Sequence, residues 1–151
     1  AMLDLARMEW ALRQAFDAPP AALLTPAELA AVPPQDWAEL QFTLHPSVQL
    51  LDLRWAVGPV WHAMKSGQAD VPPPEALDHA LLVWRQGMST QWKSLTPTEA
   101  VFVQCLIAGQ RFGAVCQALA QRVGEDAAAP TAVNLLCQLL GTGAICSLPS
   151  H

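Results

Sequence analysis

Between residues 40 and 61 the chain alternates apolar and polar side chains over a longer run than anywhere else. From residue 40 to 44 the period is two, which is the pattern of a strand with one buried face. Pro46 has no N–H to donate and interrupts the ladder. Because the apolar phase reverses between Leu50 and Leu51, we expect a bulge or a bend there. The stretch therefore predicts one side of a small antiparallel sheet.

A hairpin is predicted over residues 79–95. Two runs rich in β-formers flank Gln86-Gly87, where a turn is needed. In this interpretation Arg85, Gln91 and Lys93 face outward. With residues 40–55 the hairpin makes a sheet of roughly three to four strands.

The remaining chain is mainly helical. Helices are predicted over residues 3–16, 57–65, 97–108, 111–123 and 130–140, with a further short helix at 26–32. A short turn is predicted at 35–39 and a short strand at 144–148. Apolar residues of the first helix form one stripe, namely Leu5, Met8, Leu12, Ala15 and Phe16. Thr-Pro-x-Glu occurs twice. It predicts that the Thr25 and Thr96 hydroxyls cap helices, while the Glu28 and Glu99 carboxylates accept from the backbone N–H groups of the two threonines in return.

These elements predict an α+β fold, with a small, mostly antiparallel sheet and flanking helices. Residues 1–95 form the helix and sheet region in this prediction. Residues 96–151 contain three helices and a strand, the order of a winged-helix-like unit. We expect the two regions to pack as one domain.

Composition limits the function classes. Charged residues are only 14% of the chain and the net charge is −5, which disfavours a broad surface for nucleic acid or anionic membrane. No apolar run reaches the length of a membrane span, and four cysteines without paired spacing do not suggest a disulfide framework. We therefore expect a cytoplasmic protein. Ala1 ahead of Met2 is typical of a tag remnant, so Met2 is either the native start or a chosen boundary.

The helical region raises the alternative of a transcriptional regulator of helix-turn-helix type. A recognition helix needs side chains that reach phosphates and base edges. Residues 130–140 contain no Arg or Lys, and only Asn134 and Gln138 could contact a base. Residues 96–151 carry two arginines against three carboxylates. Protein recognition is therefore favoured over DNA binding, which stays as the alternative.

No group of residues predicts catalysis. Ser and Thr show no nucleophile elbow, and no glycine run could hold phosphate. Cys105, Cys116 and Cys137 lie in predicted helices and are expected to be buried, reduced and free of metal. The scattered histidines, His45 among them, are interpreted as surface or turn residues. We predict no enzyme activity and no catalytic, cofactor or metal site.

Trp and Arg dominate many protein interfaces, and basic residues here lie beside tryptophans. The residues predicted to bind a partner are Trp10, Arg54, Trp84, Arg85, Trp92 and Lys93. We expect Arg85 and Lys93 to share one outward face that favours an acidic peptide, while an open sheet edge accepts that peptide as an added strand. The alternative is that the tryptophans of the sheet are core residues and that the basic residues only keep the surface of the sheet in contact with solvent.

Several segments, in this order, resemble the HvfC/BufC family, which includes MbnC-like proteins and whose members have been labelled DNA-binding domain proteins. They are DLARMEWALRQAFDAP, LTPAELAAVPPQDWAEL, LQFTLHPSVQLLDLRWAVGPVWHA, LLVWRQG and SLTPTEA, and they span most of the chain. The resemblance implies a non-catalytic subunit that helps an iron-dependent enzyme to modify cysteines in a ribosomally made, copper-binding precursor peptide. Family members usually have an all-helical domain ahead of the segment that begins here at Leu3.

Overall fold

The computed structural model describes residues 1–148, and it is an α+β fold. Its helices are α1 (Met2–Asp17), α2 (Pro26–Ala30), a 3-10 helix (Pro34–Glu39), α3 (Gly58–Lys65), α4 (Pro97–Ile107), α5 (Phe112–Val123) and α6 (Glu125–Gly141). Its strands are β1 (Gln49–Trp55), β2 (Ala76–Gln86) and β3 (Ser89–Leu95). The predicted α+β class is confirmed.

The chain divides into two compact units. Unit 1 consists of Ala1–Ala18 and Ser47–Pro97, and unit 2 consists of Pro19–Pro46 and the chain from Thr98 onward. The predicted boundary between residues 95 and 96 lies close to the last junction, which follows Pro97. Residues 19–46, which the sequence places with the sheet region, belong to unit 2 instead. The last three residues of the predicted second region, 149–151, lie outside the described residues.

Unit 1 contains an antiparallel sheet in the order β1-β2-β3. Gln86 pairs with Ser89, so the turn is Gly87-Met88 and lies one residue later than predicted. Gly87 has a φ of 61°, which suits glycine at the first position of a two-residue hairpin turn. The irregularity in β1 lies between Leu53 and Trp55 and not at the predicted position.

Helix α1 packs on the sheet and builds the core of unit 1. Met8 and Ala15 from α1 and Leu81 and Val83 from β2 are each 0% exposed. Burying one such large apolar side chain contributes about 1.5–3 kcal/mol. The predicted stripe is wrong at Phe16, which is 51% exposed. The helix instead buries Ala11 and the carboxylate of Asp4.

The strand predicted at residues 40–44 is wrong. These residues form isolated bridges in unit 2, where Leu44 pairs with Ile145 and Gln41 with Arg111. Cys146 pairs with Leu23, so residues 144–148 lie between two loops, at 22–24 and 43–45. The predicted strand at 144–148 is thus reduced to these bridges. Pro46 separates the segment from β1, which is consistent with its missing N–H donor.

Helix α6 begins five residues before the predicted start and contains Pro130 in its interior. Residues 127–129 are alanines, the best helix formers, and Glu125 and Asp126 suit the positive end of a helix dipole. These local preferences outweigh the hydrogen bond that Pro130 cannot donate. Residues 125–129 are therefore helical, and only Gly124 remains of the predicted loop.

One predicted capping interaction is confirmed in part. The Thr25 hydroxyl accepts from the Glu28 N–H at 3.1 Å, at the start of α2. The carboxylate of Glu28 does not reciprocate. It accepts from the Ser147 hydroxyl at 2.8 Å and from the Leu148 N–H at 2.7 Å. The glutamate thus anchors the segment 144–148, which sequence spacing could not indicate.

Across residues 1–148, no helix combines the length and the apolar character needed to cross a bilayer.

Candidate functional site

The six residues predicted to bind a partner do not form one surface. Trp84 is only 6% exposed, so it is a core residue and is wrong as a partner contact. Trp92 is half-buried and packs against the core of unit 1. Its ring lies so close to Gly58 that a Cβ there would come within 2.6 Å of Trp92 Cη2. The alternative that these tryptophans are core residues is therefore correct for Trp84 and partly correct for Trp92.

Arg85 is held by the end of α1. Its guanidinium donates to the carbonyls of Phe16 at 2.6 Å and Ala18 at 2.7 Å. Helix C-termini carry unsatisfied carbonyls and partial negative charge, so an arginine is favourable there. The residue opposite Arg85 is Thr90, whereas Lys93 lies opposite Leu82. Side chains alternate along a strand, so Arg85 and Lys93 lie on opposite faces, and the prediction of one shared basic face is wrong.

Three of the predicted contacts are on the surface. Trp10 on α1 is 61% exposed, and the side chains of Arg54 and Lys93 are also exposed. Arg54 lies on β1 and Lys93 on β3, which are the two outer strands of the sheet.

Side chains of α1 occupy the outer edge of β1. The buried Asp4 carboxylate accepts from the N–H groups of Arg54 at 2.7 Å and Trp55 at 3.1 Å. Arg7 donates to the carbonyl of Asp52 at 2.7 Å and lies 3.6 Å from the Asp4 carboxylate. An exposed edge strand is a template for pairing with another chain. Asp4 and Arg7 therefore close the C-terminal part of this edge, at residues 52–55, and the sequence patterns indicated neither residue.

The outer edge of β3 is open. Residues that flank a two-residue turn exchange hydrogen bonds, so Gln86 and Ser89 bond each other and the pattern alternates from there. The backbone groups of Thr90, Trp92 and Ser94 consequently point away from β2. Within residues 1–148 these outward groups have no hydrogen-bond partner. The sheet can therefore accept an additional strand at β3.

A groove of about 340 Å³ adjoins this edge. It lies between α1, α3 and the start of β3, and its lining consists of Glu9, Leu12, Arg13, Phe16, Trp61, Lys65 and Thr90. Apolar walls and two cationic groups thus meet beside the first outward-pointing residue of β3. We call the outward backbone of Thr90, Trp92 and Ser94, together with this groove, the β3 edge site.

Unit 2 has a separate groove of about 540 Å³. Three carboxylates line it, from Glu28, Asp36 and Glu39. Glu28 is already bonded to the segment 144–148, and Glu39 is paired with Arg111. Two of the three carboxylates are therefore used within the fold.

The histidines and cysteines of the described residues do not form a metal site. No group of three His, Cys, Asp or Glu side chains there is placed to hold a metal ion. His45 is 6% exposed, so its assignment to the surface is wrong. The backbone N–H of His45 donates to the Ala144 carbonyl at 2.8 Å. Cys105 is buried as predicted, Cys116 is half-buried, and Cys137 is exposed, which corrects the prediction for that thiol.

Thiol labelling should separate the cysteines. Burial raises the pKa of Cys105, Cys116 and Cys146, so these thiols are protonated over more of the pH range and react more slowly. In the native protein at pH 7.5 we expect Cys137 to be alkylated first, on the order of tenfold faster than Cys105. Peptide mass spectrometry of timed samples gives the order, and Cys137→Ser is the control. Faster alkylation of Cys105 than of Cys137 would contradict the exposures described here.

No family model matches this chain, and no curated protein is significantly similar to it.

Proposed function

We propose that the chain is a non-catalytic subunit that binds an extended peptide as an added strand at the β3 edge site. The observation that carries the proposal is the difference between the two outer strands. Asp4 and Arg7 close the C-terminal part of the β1 edge, at residues 52–55, while the outward groups of β3 have no partner along Thr90, Trp92 and Ser94 within residues 1–148. Strand addition gives affinity through main-chain hydrogen bonds and specificity through pockets for alternate side chains. The groove beside Thr90 is such a pocket.

The resemblance to the HvfC/BufC family supports a particular peptide. It implies a Cys-containing precursor that is modified by an iron-dependent partner enzyme. In this proposal the enzyme carries the metal and the chemistry, and the present chain holds the precursor. A low content of charged residues, 14%, also favours a protein partner. We further propose the cytoplasm as the compartment, where the precursor is made.

DNA binding is disfavoured further by the true extent of α6. Recognition helices contact base edges with their N-terminal residues. The first two residues of α6 are Glu125 and Asp126, which would repel phosphates. Asn134 and Gln138 are exposed as a base contact would require, but α6 contains no cationic residue to accompany them.

Replacement of Thr90 with proline tests the proposal. Proline removes the outward N–H without affecting the bonds between β2 and β3, and edge strands tolerate it. We expect peptide affinity to fall about tenfold or more, since a backbone hydrogen bond is lost and the ring obstructs the added strand. Binding is measured by fluorescence anisotropy with the precursor encoded beside the gene, or with a synthetic extended peptide.

The matched control is Thr90→Val, which keeps the N–H and the side-chain shape and should bind normally. Circular dichroism and thermal unfolding check the fold of both variants. Unchanged peptide affinity in Thr90→Pro would exclude strand addition at β3. Salt-sensitive micromolar binding to mixed-sequence duplex DNA, without peptide binding, would favour the alternative of a transcriptional regulator.

A further inference from the structure

We infer that the β3 edge site selects a peptide strand with a large apolar residue opposite Thr90 and a carboxylate two residues away on the same face. The inference rests on the proposed strand addition and specifies the peptide. It replaces the basic face of Arg85 and Lys93, which the register excludes.

The position of the groove fixes which peptide side chain enters it. Thr90 contributes its side chain to the lining and its backbone to the open edge. Residues directly opposite each other on paired strands place their side chains on the same face. The peptide residue that pairs with Thr90 therefore directs its side chain toward the groove.

The walls of the groove favour an apolar occupant. Leu12 and Phe16 of α1 and Trp61 of α3 line it. Phe16 is 51% exposed without a peptide, so it has apolar surface left to bury. The volume of about 340 Å³ lies at the lower end of the range for small-ligand sites, about 300–1,000 Å³. One large side chain fills a larger share of this space than a small one and removes more apolar area from water.

The charges at the groove favour a carboxylate. Arg13 and Lys65 line it with only Glu9 as a negative group. Neither cationic side chain forms an ion pair with another of residues 1–148. Every second residue of an added strand lies on the same face, so an acidic residue two positions from the apolar one also faces α3. It would meet Lys65 or Arg13 there.

Three fluorescein-labelled ten-residue peptides of Thr and Val test the inference. The first contains Phe and Asp two positions apart, the second has Lys in place of Asp, and the third has Phe and Asp adjacent and hence on opposite faces. We expect the first to bind about fivefold tighter than either of the others at 0.15 M salt. Anisotropy titrations of the full chain give the affinities.

A charge exchange identifies the cation responsible. Lys65→Glu should reverse the preference between the Asp and Lys peptides. Lys93→Glu makes the same change of charge on the opposite face of the sheet, so it should leave the preference unchanged. An effect of Lys93→Glu equal to that of Lys65→Glu would indicate general electrostatics and overturn the inference.

A second pair of variants tests the apolar wall. Phe16→Ala removes groove surface, while Met88→Ala removes an 84% exposed side chain at the hairpin turn. Only Phe16→Ala should lower the affinity for the Phe peptide, by about fivefold. Equal affinity of all three peptides for the parent chain would overturn the inference. If Thr90→Pro still abolished binding in that case, strand addition itself would stand, so the two failures are distinguishable.

Discussion

Replacement of Asp4 with alanine is expected to lower the free energy of unfolding by about 2–4 kcal/mol. The carboxylate is buried, and its Oδ2 accepts from two backbone N–H groups of β1, at 2.7 and 3.1 Å. Each donor left without a partner in a partly buried place costs about 1–3 kcal/mol. Asp4→Asn keeps one acceptor oxygen and should lose less. Urea unfolding followed by tryptophan fluorescence measures both.

The same variant should also self-associate. Without Asp4 the N–H groups of Arg54 and Trp55 face outward, and an exposed edge strand pairs readily with another chain. Arg7→Ala removes the bond to the Asp52 carbonyl from a more exposed side chain, so it should cost less than about 1 kcal/mol and self-associate less than Asp4→Ala. The claim that Asp4 closes the edge of β1 would be refuted by two results together. The free energy of unfolding of Asp4→Ala would lie within about 0.5 kcal/mol of that of the parent, and the variant would stay monomeric by light scattering.

Gly58→Ala is expected to destabilise the fold by about 1–3 kcal/mol. A Cβ at this position would lie 2.6 Å from Trp92 Cη2, closer than packed carbon atoms approach. The ring can move only by disturbing the core of unit 1. Gly141→Ala is the matched control, since a Cβ there meets no atom within 4 Å, and it should be neutral or stabilising.

The double variant Gly58→Ala, Trp92→Leu identifies the cause. A smaller side chain at Trp92 removes the collision, so the double variant should be more stable than the sum of the single effects predicts. Denaturant midpoints of the four proteins form a double-mutant cycle, with an expected coupling of about 0.5–3 kcal/mol. Additive effects would show that the ring does not limit the space at Gly58.

Local sequence patterns predicted the helices and the helix cap, because these features depend on residues that are close together in the chain. The apolar period predicted α1 and α5, and the capping box predicted the start of α4. These helices and α3 end within two residues of their predicted bounds, and Thr25 caps α2 as its spacing indicates. Helix and hairpin preferences act over a few residues, so a short window contains the information. The start of α6 was predicted five residues too late, because the prediction takes Pro130 as the first helical residue. Its true start also has a local cause, which is the run of alanines before Pro130.

The candidate site could be predicted only in part because it depends on register and on distant pairs. The turn at Gly87-Met88 lies one residue later than expected, which changes the pairing of β2 with β3. A two-residue turn at either position places Arg85 and Lys93 on opposite faces, so the predicted shared face misassigned the alternation of side chains along the hairpin. Asp4 looks like an ordinary residue of an N-terminal helical turn, since its partners are 50 and 51 residues away. The open edge at β3 was anticipated in general, but its location was not.

The path of the chain through its two units has a consequence for synthesis. Each unit is made of two separate segments, and the chain passes from one unit to the other after residues 18, 46 and 97. All of unit 1 has been synthesised by residue 97, whereas the bridges at 22–24 and 43–45 need residues 144–148. Chains fold in domains, with earlier ones first as they leave the ribosome. A nascent chain can therefore assemble the sheet of unit 1 while residues 22–24 and 43–45 still await residues 144–148.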